Sequence, residues 1–176
     1  MVEVALIDEV LGEHAESIGR DFAGYRNHAY RVACFCIALS NADSESREKV
    51  AIAAALHDIG IWTARTFDYL EPSVAVATSY LVRAGRPEWA PELTSMIRHH
   101  HRISPSGERA DWLVEPFRKA DWMDVSLGAI TCGLPRAFVR QTIARWPNAG
   151  FHRKLAQLTF VRCRSHPLSP LPMVRL

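Results

Sequence analysis

The chain has 176 residues, of which 48% are hydrophobic and 23% are charged, and its formal net charge is +2. These values are typical of a single globular domain that can bury a sizeable core. They exclude a membrane-spanning helix, because no segment approaches about 18 uninterrupted apolar residues. The acidic N-terminal segment also lacks the basic start of a secretory signal peptide.

The four cysteines of the chain form no CxxC pair, and no secretory signal accompanies them. This usage is typical of reduced thiols in a cytoplasmic protein. The cysteines are Cys34, Cys36, Cys132 and Cys163.

The distribution of charge is uneven. Residues 1–124 hold all 19 acidic residues and 13 basic ones, whereas residues 125–176 hold eight basic residues and no acidic one. The basic segment is either a solvated face that pairs with the acidic part of the chain or a positively charged surface that attracts a small anionic substrate. Its charges are not interleaved with stacking aromatic side chains, which argues against nucleic acid. The sequence leaves the oligomeric state open, including a homo-oligomer.

Helical periodicity recurs along the whole chain, and strand signals are nearly absent. The first predicted helix covers about residues 3–18. The second follows Asp21, a predicted N-cap, and continues to about Leu39. The third begins at Ser44 or Ser46, with acidic residues close behind.

The third helix is predicted to end at Gly60, which suits the left-handed conformation of a helix C-terminus. Pro72 lies in the first turn of a fourth helix that ends near Gly85. Pro91 begins a fifth helix, which runs into the histidine triplet at residues 99–101.

A sixth helix, with a break predicted at Pro116, carries Asp121. Two more helices are predicted at about residues 135–146 and 150–164. The fold class is therefore an all-α, single-domain helical bundle. The predicted boundaries are residues 1–165 for this domain and 166–176 for an irregular, loosely attached tail with three prolines.

Four chemistry-bearing side chains lie beside apolar residues of these helices: His28, His57, Asp58 and Asp121. Two imidazoles and two carboxylates in one apolar interior each carry a desolvation cost, which a shared divalent cation removes. This mixed nitrogen and oxygen set suits Fe, Mn, Co, Ni or Zn rather than Ca. It also leaves coordination positions for water and substrate, as a hydrolytic centre requires.

His28, the sequence HDIG at residues 57–60 and the sequence KADW at residues 119–122 occur in that order. This pattern resembles the HD-domain superfamily of metal-dependent phosphohydrolases over about residues 20–130. The resemblance implies a helical bundle of the HD type whose core binds a divalent metal. The implied ligands are His28, His57, Asp58 and Asp121.

The sequence departs from the family pattern in two places. Some family members bind phosphate with a lysine at the first place, and others bind a second metal with a histidine at the second. Ile61 stands where some members have a lysine after the HDIG sequence, and Glu71-Pro72-Ser73 stands where others have a histidine. We therefore expect one divalent transition metal.

The histidine triplet supplies further candidate residues. On an ideal helix, His100 falls within the apolar face, His101 at its margin and His99 to one side. We expect His100 to act in catalysis and His99 to contact substrate, although a solvated helix end remains the alternative. Arg31 and Arg102 are candidates to bind phosphate, because guanidinium groups bind it bidentately.

The predicted function is a metal-dependent phosphohydrolase that acts on a nucleotide or another small phosphate ester through a metal-activated water. Asp58 and His100 are the predicted catalytic residues. One alternative is hydration of a small nitrile, because the segment 66–69 loosely resembles cyanamide hydratases of the HD fold. The other alternative is a non-catalytic HD module that binds a nucleotide.

Overall fold

The computed structural model describes residues 4–174, and these form an all-helical bundle without a β-strand. Short 3₁₀ turns at Gly19–Asp21 and Pro87–Trp89 join the α-helices. The α-helices are α1 (Val4–Gly12), α2 (Ala15–Ile18), α3 (Phe22–Ser40), α4 (Ser44–Leu56), α5 (Gly60–Thr63), α6 (Leu70–Arg83), α7 (Ala90–His99), α8 (Val114–Val125), α9 (Arg136–Arg145) and α10 (Phe151–Ser165).

The all-α prediction is confirmed. The first predicted helix is divided into α1 and α2, and its predicted start at residue 3 lies outside the described residues. Pro116 does not break α8, because it lies in the first turn, where a missing backbone N–H leaves no intrahelical bond unmade. Among residues 4–174, no helix combines the length and the apolar character needed to cross a bilayer.

Helix α3 packs against both α4 and α8 and contributes many of the largest buried side chains. Helix α4 packs against α1, α3, α6 and α7. Its last seven residues, 50–56, are all buried, as expected for a helix with neighbours on several sides. The residues that directly follow α4 therefore begin deep inside the protein.

Asp43 is the N-cap of α4, because its carboxylate accepts a hydrogen bond of 2.8 Å from the backbone N–H of Ser46. The prediction that Ser44 or Ser46 opens this helix is confirmed, because the helix begins at Ser44. The residue before it, Asp43, supplies the cap.

The predicted conformation of Gly60 is wrong, because Gly60 begins the short helix α5 and does not adopt a positive φ. Glycine is required there by close packing. A Cβ atom on residue 60 would lie 2.5 Å from the carbonyl oxygen of Tyr69 and 2.9 Å from Cβ of Pro72. The Gly60 N–H also donates a hydrogen bond of 2.9 Å to Ser73 Oγ. The glycine thus lets the turn after α4 lie directly against the start of α6.

The proline-rich tail follows α10 without regular secondary structure as far as residue 174, and residues 175 and 176 lie outside the described part. The tail is attached more firmly than its composition predicts. Met173 is buried and belongs to the hydrophobic core, and Val174 packs against that core. Burial of these apolar side chains holds the end of the chain against the bundle.

We expect Gly60→Ala to destabilise the protein by about 1–3 kcal/mol, because the new methyl group would collide with backbone and side-chain atoms of α6. Gly12→Ala is the matched control, since nothing lies within 4 Å of its added Cβ. Urea unfolding of both variants measures the difference. Equal stability of the two variants would contradict the packing argument.

Candidate metal centre

Three segments bring the predicted ligand residues together. His28 lies in the middle of α3, His57 and Asp58 form the turn after α4, and Asp121 lies in α8. All four residues are buried, with at most 2% of their surface exposed. Tyr25 holds the turn in place, because its hydroxyl donates to the Ala55 carbonyl and accepts from the Asp58 N–H.

The tips of the four side chains converge. Nε2 of His28 lies 2.9 Å from Nε2 of His57, 3.7 Å from Oδ2 of Asp58 and 3.6 Å from Oδ1 of Asp121. Nε2 of His57 lies 3.5 Å and 3.7 Å from the same two oxygens. Ligand atoms about 2.1 Å from one ion lie about 3.0–3.4 Å apart at octahedral or tetrahedral angles, so the spacing fits a shared cation.

Hydrogen bonds to the other ring nitrogens fix the tautomers of the two histidines. Nδ1 of His57 lies 2.9 Å from the Ala54 carbonyl oxygen, which can only accept, so Nδ1 carries the proton. Nδ1 of His28 likewise donates to Asp124 at 2.6 Å. In their neutral forms both rings therefore direct lone pairs from Nε2 at one another, which is unfavourable until a cation lies between them.

The carboxylates offer unused lone pairs to the same point. Among the described residues, Oδ1 of Asp121 is buried without a hydrogen bond, while Oδ1 of Asp58 and Oδ2 of Asp121 face only the imidazoles of His100 and His101, 3.3 Å and 3.1 Å away. Buried acceptors of this kind are costly and rare, and a metal ion satisfies them. The donor set therefore fits a divalent metal, and His28, His57 and Asp121 form one of the groups with ligand geometry.

The ionisation of the cluster also suits metal binding. Burial lowers the pKa of His57 to about 4, which keeps its imidazole neutral at physiological pH. Burial opposes ionisation of Asp58, but the imidazoles of His57 and His100 outweigh it and hold the pKa of this carboxyl well below its usual range. Neutral imidazoles and ionised carboxylates are the forms that bind metals.

Asp124 is a site residue that the sequence reasoning missed. It is 1% exposed and accepts hydrogen bonds from Nδ1 of His28 and from the guanidinium of Arg31, through Nε and through Nη2 at 2.9 Å. The signal for it was available, because a residue three positions after Asp121 lies on the same face of α8. A carboxylate behind a ligating histidine fixes its tautomer and raises its basicity.

Two histidines of the triplet face the cluster. Nδ1 of His100 donates to the Ile97 carbonyl at 2.7 Å, and its Nε2 lies 3.3 Å from Oδ1 of Asp58. Nδ1 of His101 lies 3.1 Å from Oδ2 of Asp121. His57, Asp58 and His100 form a second group with ligand geometry, and His100, His101 and Asp121 form a third.

Tyr69 joins His101 at the edge of the cluster and was not among the predicted site residues. The Tyr69 hydroxyl lies 2.7 Å from Nε2 of His101. Burial, with Asp58 and Asp121 nearby, raises the pKa of Tyr69 well above its usual value. Nδ1 of His101 faces the carboxylate of Asp121, which can only accept, so Nδ1 carries the proton and Nε2 accepts from the Tyr69 hydroxyl.

The three predicted substrate-binding residues have other partners, which corrects their expected orientation. Arg31 is buried and pairs with Asp124, and its Nη1 donates to the Trp146 carbonyl at 2.7 Å. Nε2 of His99 lies 3.3 Å from Oε1 of Glu108. His99 points away from the cluster because successive helical residues diverge by about 100°. Arg102 donates to Ser104 and to the Ser106 carbonyl.

The family comparison agrees with this geometry. The family model described as HD domain matches residues 25–126, more than half of the chain, and the protein therefore belongs to the HD-domain family. Members of this family are generally metal-dependent phosphohydrolases that bind divalent metals. Neither a curated protein nor a solved structure matches the chain.

We expect Asp124→Asn to weaken metal binding by about 10- to 100-fold, because His28 loses the carboxylate that orients it. The variant should also lose about 3–5 kcal/mol of stability, since Arg31 stays buried without its counter-ion. Chelator competition and urea unfolding measure these two effects.

Asp111→Asn is the matched control for this prediction. Asp111 forms an exposed ion pair with Arg109, and both side chains are 65% exposed. Metal affinity and stability should stay close to those of the unchanged protein. An Asp124→Asn protein with unchanged metal affinity would show that Asp124 does not support the metal centre.

Proposed function

We propose that this protein is a metal-dependent phosphohydrolase that acts on a nucleotide or another small phosphate ester. The observation that carries the proposal is the pair of Nε2 atoms, on His28 and His57, that face one another beside two carboxylates. The proposed ligands are His28, His57, Asp58 and Asp121. Family membership supports hydrolysis of a phosphate ester as the reaction.

The proposed cofactor is one divalent transition metal, and two imidazoles with two carboxylates suit Fe, Mn, Co, Ni or Zn. When bound, such a metal lowers the pKa of water toward neutrality and polarises a phosphoryl oxygen. Elemental analysis should give about one equivalent per chain. A second equivalent would indicate that the overlapping group His100, His101 and Asp121 is also filled.

His100 is the proposed general acid. Because its Nδ1 proton is held by the Ile97 carbonyl, Nε2 is the nitrogen that gains and loses a proton. Burial opposes charging of this ring, but Asp58 and Asp121 outweigh it and raise the pKa of His100 above the usual value. A protonated Nε2, 3.3 Å from Asp58, can donate to the leaving group while Asp58 orients the attacking water.

His101 and Tyr69 form a second proton path. The hydroxyl of Tyr69 donates to Nε2 of His101, whose Nδ1 proton faces Asp121. The donors run from the phenol through the imidazole to Asp121, so this chain of hydrogen bonds can deliver a proton toward the cluster. Tyr69 is 1% exposed, whereas 13% of the His101 side chain is accessible, so solvent meets this path at the imidazole.

Hydration of a small nitrile is the second candidate function, and the surroundings of the cluster favour it. Phe151 stacks on His28 with ring centroids 4.1 Å apart, and Phe117 packs edge-on against His57 at 5.5 Å. Arg31 and Arg102 are engaged with other groups. Aromatic rings beside the imidazoles would suit a small neutral molecule better than a charged phosphate.

The two enzyme functions are separated by a substrate screen. The protein is assayed with phosphomonoesters, cyclic dinucleotides and cyanamide in the presence of Mn, Co or Fe. Release of phosphate or phosphomonoester supports the first proposal, and urea formed from cyanamide supports the second. Metal content below about a tenth of an equivalent without chelator treatment, with no turnover, would indicate a non-catalytic module.

We expect Asp58→Ala to lose both bound metal and turnover. His100→Ala should keep the metal and lose about 100-fold or more in kcat, because it removes a proton donor. Metal analysis and steady-state kinetics on the two variants measure this contrast. Full metal retention by Asp58→Ala would refute its assignment as a ligand.

Tyr69→Phe tests the proton path without changing the packing of the ring. The variant should keep its metal and lose about 10-fold or more in kcat, since only the hydroxyl is removed. Tyr80→Phe is the control, because Tyr80 lies near the C-terminal end of α6, about three turns from Tyr69. Its kcat should equal that of the unchanged protein. An unaltered kcat and an unaltered pH profile in Tyr69→Phe would remove Tyr69 from the mechanism.

A further inference from the structure

A cavity of about 500 Å³ lies between α5 with its following loop and α10. Trp62 and Phe67 line it from the side of α5, and Leu158 and Val161 line it from α10. Among the described residues, no aspartate or glutamate lines this cavity. Its walls are therefore apolar and aromatic, and one carboxylate adjoins them, because the Trp62 indole N–H donates to Asp21 at 3.0 Å.

Three basic side chains complete the lining: Arg65, Lys154 and Arg162. Lys154 pairs with Asp21 at 2.9 Å, and Nε of Arg162 donates to the Ser169 carbonyl at 3.4 Å. The guanidinium of Arg65 has no hydrogen-bond or ion-pair partner within residues 4–174. Positive charge at the cavity thus exceeds what its neighbours neutralise.

The backbone of Arg65 adopts φ of 51°, in the left-handed region that residues with a Cβ atom avoid. Glycine or asparagine would adopt this conformation at lower cost. Outliers of this kind cluster at ligand-binding sites, where the position of the side chain matters. Arg65 shares this conformation with Asn41, Leu127, Cys132 and Ala149, and in Arg65 it sets the course of the loop that lines the cavity.

An aromatic layer separates this cavity from the metal centre. Trp62 packs on Tyr25 with ring centroids 4.5 Å apart, and the Tyr25 hydroxyl accepts from the Asp58 N–H at 3.2 Å. None of the four proposed metal ligands lines the cavity. The cavity is therefore separate from the metal centre. The rings of Trp62 and Tyr25 lie between it and the turn that carries His57 and Asp58.

We propose that this cavity binds an organic phosphate with a planar ring, of the nucleoside monophosphate class. Its volume falls within the range of small-molecule sites, about 300–1,000 Å³. Trp62 and Phe67 offer aromatic surface to a base. Arg65 and Arg162 offer guanidinium groups to the phosphate.

The test is calorimetric titration of AMP, adenosine, inorganic phosphate and decanoate into the full-length protein. AMP should bind the cavity with a dissociation constant below about 1 mM, and one equivalent per chain should still bind in Asp58→Asn, in which binding at the metal centre is disrupted. Adenosine and phosphate should each bind at least about tenfold more weakly, because each lacks one half of the recognised structure. Equal binding of adenosine or of phosphate, or displacement of AMP by decanoate, would overturn the assignment.

Arg65→Gly and Arg162→Gln locate the bound ligand. Each should weaken AMP binding about tenfold, because each removes one charge-assisted hydrogen bond to the phosphate. Arg65→Gly also relieves the strained backbone, so its melting temperature should equal or exceed that of the unchanged protein. Weaker binding therefore cannot be attributed to unfolding.

Two controls complete the design. Arg164→Gln removes the same charge from α10 at a position outside the cavity lining and should bind AMP normally. Asp58→Asn, which disrupts the metal centre, should also bind AMP normally. Weaker binding in Arg164→Gln would indicate a general effect of charge. Loss of binding in Asp58→Asn, with retention in Arg65→Gly, would place AMP at the metal centre and overturn the proposal.

Discussion

The two imidazole nitrogens that face one another at 2.9 Å are the constraint on which the interior depends. Each ring already donates from its other nitrogen, so neither can resolve the contact by donating to the other in its neutral form. The carboxylates of Asp58 and Asp121 bring negative charge to the same point. A divalent cation bound at this point would relieve both the lone-pair contact and the buried charge, and its binding energy would then contribute to folding.

This constraint explains why the surrounding helices are arranged as they are. Helix α3 must present His28 to the end of α4 and to α8, and it packs against both. The turn after α4 must stay close to α6, and Gly60 permits the short distance. The Asp58 N–H donates to the Tyr25 hydroxyl, and this hydrogen bond holds the turn that carries His57 and Asp58 against α3.

The sequence predicted the helical class, the approximate order of the helices and the convergence of the four proposed ligands. Those inferences depend on periodicity and on the types of residue, which a single sequence contains. It did not predict the orientation of Arg31, His99 or Arg102, because that depends on partners distant in the chain. Arg31, for example, is bound by Asp124, 93 positions later.

The misjudged role of Gly60 has a similar origin. A glycine after a helix usually marks a left-handed residue, and only the position of α6 reveals that space is the reason. Tyr69 and His101 meet across 32 positions of sequence, so their hydrogen bond was also outside the reach of local patterns. Asp124 is the exception, since one helical turn from Asp121 was a usable signal.

Residues 146–152, which link α9 to α10 and form the first turn of α10, extend the candidate metal centre beyond residue 126, where the family match ends. The Trp146 carbonyl accepts from Arg31, the Phe151 ring covers His28, and His152 contacts the Asp124 carbonyl at 3.1 Å. A fragment that ended at residue 126 would lack the ring that covers one face of His28. It would also leave the buried Nη1 of Arg31 without its acceptor. The part of the chain that encloses the candidate metal centre is therefore longer than the part that the family model matches.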